Sequence, residues 1–500
     1  MAAVQLDSGL LVGFLFLATC LAVAIRSYLR SGGAAIPSPP ALPVIGNLHQ
    51  LGRGRHHRAL RELARRHGPL FQLRLGSVRA LVVSSAPMAE AVLRHQDHVF
   101  CGRPQQRTAR GTLYGCRDVA FSPYGERWRR LRRVAVVRLL SARRVDSFRA
   151  LREEEVASFV NRIRAASGGG VVNLTELIVG LTHAVVSRAA FGKKLGGVDP
   201  AKVRETIGEL ADLLETIAVS DMFPRLRWVD WATGLDARTK RTAAKLDEVL
   251  EMALRDHEQS RGDDDDGGGG DGEPRDLMDD LLSMANDGGG DHGHKLDRID
   301  VKGLILDMFI AGTDTIYKSI EWTMAELIKN PAEMAKVQAE GGAAGEDDPP
   351  PGGDEGGDAP HPPVPLLIPR EAIEDTVLHG HRVAAGTRVM INAWAIGRDE
   401  AAWEGAAEFR PGRFAGGGDA RRRYYGGGDF RFVPFGAGRR GCPGVAFGTR
   451  LAELAVANMA CWFEWELPDG QDVESFEVVE SSGLSPGLIN PLVLAAKPLK

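Results

Sequence analysis

Cys442 sits in the run Phe435-Gly436-Ala437-Gly438-Arg439-Arg440-Gly441-Cys442-Pro443-Gly444. Glycines near the cysteine let the backbone fold tightly round its sulfur. Arg440, two residues before it, offers a planar and permanently charged fork suited to a carboxylate. Phe435, seven residues before it, can cover the site. A thiolate held in a dry, glycine-walled turn is a soft ligand suited to iron. The bland reading is an ordinary buried cysteine in a glycine-rich loop. That reading explains none of the other fixed positions, Phe435, Gly438, Arg440 and Gly444.

A second group lies upstream. Val301 to Lys329 reads as a long apolar helix interrupted by Ala311-Gly312-Thr313-Asp314-Thr315. Gly312 in mid-helix costs about 1 kcal/mol relative to alanine. Thr315 can donate to a carbonyl one turn back and bend the helix, and a local widening there would leave room for a small ligand. The alternative is a surface Asp-Thr pair on a kinked helix. A third group, Trp128 and Arg132, is spaced four apart, so both fall on one helix face of the basic stretch Trp128 to Arg133. Left to itself, that stretch reads as a solvated charged face or a docking patch for an acidic partner.

Positioning these groups takes a mostly helical body. Leu70 to Ser84 alternates in the manner of a hairpin. Arg144 to Ala166, Leu174 to Phe191, Ala201 to Ile217 and Thr239 to Gln259 carry apolar residues at three- and four-residue spacing. The acidic, glycine-rich tracts from Asp263 onward and from Asn286 to His294 cannot form a core and read as surface loops. No dinucleotide or flavin motif is evident.

Taken together, F-x-x-G-x-R-x-C-x-G around Cys442 and [AG]-G-x-[DE]-T at 311–315 resemble the cytochrome P-450 family, over the chain from about Pro37 to the C-terminus. The resemblance implies a mainly α fold with a small β region, residues 46–500 forming one catalytic domain. It implies haem b with Cys442 as its axial thiolate and metal ligand, whose electron donation favours O–O cleavage. Arg440, Phe435, Gly438 and Gly444 complete the haem loop. Trp128, Arg132 and Arg370, the last in Leu367-Ile368-Pro369-Arg370, are expected at the haem propionates. Asp314 and Thr315 are expected to deliver protons through water to dioxygen, with Gly312 beside them; Ile316 stands where a second hydroxyl is common. Activity would be insertion of one oxygen atom into a small lipophilic substrate. Electrons would come from NADPH through a separate membrane-bound flavoprotein reductase, whose acidic surface Arg129, Arg130 and Arg133 could meet. Cys101 to Ser122, Val219 to Leu226, Val364 to Ile368 and Ser482 to Leu488 are the candidate substrate loops. The stretches Asn392 to Asp399 and Ala311 to Thr315 look like the plant microsomal branch. A reductase-independent haem-thiolate isomerase or dehydratase is a further reading, which the intact Asp314-Thr315 pair disfavours.

The resemblance fails in one interval. The family carries an E-x-x-R helix whose Glu and Arg pair with a later arginine, here Arg413. In its place residues 341–360 hold 7 Gly, 4 Pro and 6 acids, with alanine the only apolar type. Such a segment yields no core helix. Losing one would forfeit roughly 6–15 kcal/mol of burial. An orphaned buried Arg413 would cost about 3–5 kcal/mol more. Such a chain is expected to hold haem poorly or to be inactive, or else its sequence has lost a coding segment and gained a spurious one; a loop acid such as Glu346 or Asp354 pairing with Arg413 would make the loss smaller.

The formal net charge of −4 argues against nucleic acid as the main partner. The five cysteines are scattered without pairs, as in a reducing compartment. Gly9 to Ile25 is an uncharged run of 17 residues, near the lower limit for a bilayer span. Arg26 and Arg30 follow it, which places the rest of the chain in the cytosol. Residues 1–30 thus read as an anchor in the endoplasmic reticulum membrane. Residues 31–45 read as a stiff proline-rich hinge.

Overall fold

Asp297 begins a 32-residue helix, Arg298–Lys329, by a reciprocal cap. Its side chain accepts from the Asp300 N–H at 2.8 Å, and the Asp300 carboxylate accepts from the Asp297 N–H at 3.4 Å. Past the cap, Leu304, Ile305, Phe309, Ile316, Ile320 and Met324 are buried. Their three- and four-residue spacing lays one apolar stripe along the helix. The stripe packs against Leu174–Phe191 and Val445–Trp462, and these three helices carry the largest hydrophobic cluster.

The computed structural model describes residues 36–499 except 53, 169, 193–199, 265–274, 287–294, 342–360 and 415–424. The anchor at 1–30, residues 31–35 of the hinge, all but the first one or two residues of each acidic tract and nearly all of the 341–360 replacement lie outside the described residues. Helix makes up 57% and strand 10%, a mainly α fold with a small β region.

That region contains the expected hairpin, β1 (Leu70–Leu75) and β2 (Val78–Val83), paired antiparallel. Two later strands, β3 (Arg370–Glu371) and β4 (Arg388–Ile391), complete a sheet of order β1-β2-β4-β3. β2 and β4 run parallel, Ala80 opposite Arg388 and Val83 opposite Ile391. The sheet places Arg370 opposite Val389, one strand away from β2 although nearly 290 residues separate Arg370 from it in sequence.

Helix limits follow the apolar pattern with one instructive miss. Leu174–Phe191 is as expected, capped by the Asn173 side chain accepting from the Glu176 N–H at 3.2 Å. The span expected as one helix from Arg144 divides into Ala142–Ser147 and Arg149–Ser167 at Phe148. Phe148 is 2% exposed and stacks edge-on against Phe447 at 6.4 Å. Burying that ring in the core outweighs keeping one straight axis. Leu174–Phe191 is also the one described helix long and apolar enough to cross a membrane, yet nine of its residues are buried core.

Candidate active site

Val445–Trp462 is preceded by the loop that presents Cys442. Two backbone contacts shape it: the Cys442 N–H donates to the Phe435 carbonyl at 2.9 Å, and the Gly444 N–H donates to the Cys442 sulfur at 3.3 Å. Gly438 holds φ +68°, and a Cβ there would sit 2.2 Å from the Leu93 carbonyl oxygen. Only glycine satisfies both demands. The Phe435 ring is half-buried and meets Tyr425 edge-on at 5.5 Å.

Cys442 is exposed, yet the protein packed round it pushes its thiol up, against the Gly444 N–H and the Arg132 guanidinium. The sulfur is thus reachable although the loop closes round it. Ala311 behaves likewise, exposed midway along a helix whose flanks are core. Ile316, one turn on, lies where a Cβ on Gly448 would be 3.6 Å from its Cγ1. The 311–315 turn and the Cys442 loop therefore approach through one helix contact.

The long helix runs unbroken as α-helix through this turn, without the expected widening. Thr315 does donate to the Ala311 carbonyl, at 2.6 Å. Gly312 serves packing: a Cβ there would lie 3.0 Å from the Val186 methyl on Leu174–Phe191. Asp314 is ion-paired with Lys318 at 2.8 Å.

Four arginines gather next to the loop. Arg440 donates to the carbonyls of Cys101 (2.9 Å), Val119 (3.2 Å) and Ser122 (2.7 Å). Its guanidinium lies 4.3 Å from the Trp128 ring centre. The Trp128 indole N–H shares the Val119 carbonyl at 3.0 Å. Arg132 donates to Gly441 at 2.5 Å, and Arg370 donates to Ala437 at 2.7 Å. Arg103, which sequence reasoning missed, donates to Ala120 at 2.8 Å and Ile368 at 2.7 Å. No spacing rule marks Arg103; its place is set by the fold. Burial, with the other guanidiniums adding repulsion, pulls Arg103 well below the ordinary arginine value. Burial likewise pulls Arg440 and Arg370 down to about 10.

Two carboxyls lie near these four arginines and do not balance them. Burial pushes Asp118 up to about 6 and Asp307 well above the usual carboxylate range. Both are held by main-chain donors, Asp118 by Phe121 at 2.7 Å and Asp307 by Val119 at 2.6 Å. One nitrogen of Arg370, Nη1, is buried with no partner. Guanidiniums that outnumber the nearby carboxyls, with an unused N–H, beside an exposed sulfur, fit a metal-centred group bearing two carboxylates. Arg130 is not free for a protein partner: it donates to Asp300 at 3.3 Å. Arg129 and Arg133 are exposed.

Comparison with known proteins agrees with this geometry. The family model described as Cytochrome P450 matches residues 36–351 and 360–490. Cytochrome P450 71A1 of Persea americana is 43% identical over 471 residues, which span 90% of this chain and 91% of that protein. Norfluorocurarine oxidase of Strychnos sp is 40% identical, covering 92% and 91%. Phenylacetaldehyde oxime monooxygenase CYP71AN24 of Prunus mume is 39% identical, covering 92% and 89%. Among solved structures, a zebra fish cytochrome P450 with progesterone superposes at a TM-score of 0.70 with 25% identity, covering 89% of this chain and 99% of that one.

Proposed function

Because this chain belongs to the cytochrome P450 family, whose haem is held by a cysteine thiolate, we propose that it is a monooxygenase acting on a small lipophilic substrate with electrons from NADPH through a separate flavoprotein reductase. The observation that carries the reading is an exposed Cys442 sulfur beside four clustered arginines, one of which, Arg370, keeps a buried nitrogen without a partner.

In this reading Cys442 would hold the haem iron through its thiolate. Arg132, Arg370, Arg440 and the Trp128 indole would hold the two propionates. Phe435 covers the sulfur, Gly438 sets the turn and the Gly444 N–H tempers the thiolate's charge. Haem, when bound, supplies the oxidising chemistry that places one atom of dioxygen in the product and releases the other as water. The chain's part is protons and orientation. Asp314 takes protons from solvent and passes them through water toward the Thr315 hydroxyl, whose bond to Ala311 fixes its rotamer. Gly312 lets the helix sit close enough to Leu174–Phe191 to hold that turn in place. Residues 1–30 anchor the protein in the endoplasmic reticulum membrane, 31–45 form the hinge, and 46–500 face the cytosol. Arg129 and Arg133 are left to meet the reductase.

The family match skips residues 352–359, inside the low-complexity replacement. That favours a second reading, a haem-poor member of the family. Reconstitution with an NADPH-dependent reductase under ¹⁸O₂ decides between them: one labelled oxygen in the product supports the monooxygenase. Product formed without NADPH would instead indicate an isomerase or dehydratase, and absence of haem would indicate the haem-poor reading.

A further inference from the structure

Lys318 lies one turn after Asp314 on the long helix and is 7% exposed. Its ammonium reaches both oxygens of the Asp314 carboxylate, at 2.8 and 2.9 Å. It also donates to the Ser485 carbonyl. The methylene stem packs where Gly487 leaves room, since a Cβ there would be 3.4 Å from Lys318 Cγ and Cε. Ser485 and Gly487 belong to the loop 482–488, one of the four segments expected to touch substrate.

That loop hangs from the helix by its main chain. Beyond Lys318, the Trp322 indole donates to the Pro486 carbonyl at 3.2 Å, and the Leu488 N–H donates to the Glu321 carboxylate at 3.4 Å. From the opposite side, the Ser485 N–H donates to Glu215 at 3.1 Å. Lys318 differs from the other supports in touching the loop and Asp314 with one atom. A single ammonium therefore ties the geometry of the loop to that of the carboxylate. Burial makes the tie costly to break, because either partner alone would leave a desolvated charge short of contacts.

We infer that Lys318 is a positioning residue that makes proton delivery by Asp314 depend on the seating of the 482–488 loop. A substrate that displaces Ser485 removes one of the ammonium's acceptors and draws it further onto Asp314; a loop left in place keeps the two shared. This rests on the reading of Asp314 as the proton-delivering acid.

Three variants separate the contributions. K318Q keeps an amide donor for Ser485 and loses the ion pair; K318M loses both; K318R keeps a charge and donors. Hydrogen exchange across 482–488 reports the tie in the resting protein. Expected exchange is several-fold faster in K318M and close to wild type in K318Q and K318R. Peroxide released per NADPH, in the reductase-reconstituted enzyme with a lipophilic test compound chosen for its spin-state shift, reports coupling. Expected release rises several-fold in K318M and K318Q and returns to within about twofold of wild type in K318R. In a D314N background, K318Q is expected to add nothing. Unchanged exchange in K318M, or full additivity of K318Q with D314N, overturns the inference. A D314N variant with normal coupling overturns the role of Asp314 itself, and the exchange measurement then still decides the tie.

Discussion

Arg413 rests over the Trp403 ring, its guanidinium 5.7 Å from the ring centre, and donates to the carbonyls of Gly405 at 2.9 Å and Glu408 at 3.2 Å. No carboxylate pairs with it among the described residues. It is half-buried. The orphaned buried charge expected from the missing E-x-x-R helix is therefore replaced by a partly solvated cation satisfied by main chain and an aromatic face. R413A is accordingly expected to cost about 1 kcal/mol, set by a cation–π contact and hydrogen bonds at a partly exposed site. Urea unfolding of both proteins checks this. A loss near the 3–5 kcal/mol of a stranded buried pair would restore the damage argument.

Arg370 gives a prediction of opposite character. It is 3% exposed, and its Nη1 has no partner. Removing the guanidinium in R370M relieves that cost in the haem-free protein and removes a charged donor from the haem-bound one. Charge-assisted hydrogen bonds contribute about 1.5–3 kcal/mol, so hemin affinity should fall roughly ten- to hundredfold. Thermal stability without hemin should hold or rise. Hemin titration of wild type and R370M reads the first, and calorimetry of the haem-free proteins reads the second. Equal hemin affinities would remove Arg370 from the propionate set.

How much of this was legible beforehand depends on the distance over which each signal acts. The Cys442 loop and the Ala311–Thr315 turn are contiguous, so their local chemistry shows in the order of residues. The Leu174–Phe191 helix shows for the same reason, its apolar period being unbroken. Arg103 and Asp118 share the segment 101–122 while Asp307 sits on the long helix far along the chain, and the group meets only through tertiary contacts, so no local pattern announced it. Lys318 was hidden differently: a lysine inside an apolar helix reads as an exposed residue, and only the Ser485 loop, more than 160 residues later, explains its burial. Phe148 marks the reverse failure, where helical spacing on both sides concealed a break made by one buried ring.

His257 provides a pH test away from the haem. Its two ring nitrogens face the Ala253 carbonyl at 2.8 Å and the Asp276 carboxylate at 3.0 Å, so both suit a protonated ring. Burial opposes the charge, but the bond to Asp276 prevails and lifts His257 from 6.5 to about 9. A raised value means that the folded state holds its proton more tightly. The stabilisation is complete below about pH 6.5 and is lost as pH climbs through 9. At about 1.4 kcal/mol per unit, the contribution is at most roughly 3 kcal/mol. H257Q keeps a donor but cannot titrate. The difference in unfolding free energy between wild type and H257Q should thus shrink steadily from pH 6.5 to 9. A difference independent of pH would mean that the ring is neutral in the fold.

The central claim is that the Cys442 sulfur binds the haem iron. A carbon monoxide difference spectrum of the reduced, hemin-supplied protein addresses it directly, with C442S alongside. The account requires the strongly red-shifted Soret band of a thiolate ligand in the wild type and its disappearance in C442S. An imidazole-type or free-hemin band in the wild type, or the same spectrum from C442S, would contradict it.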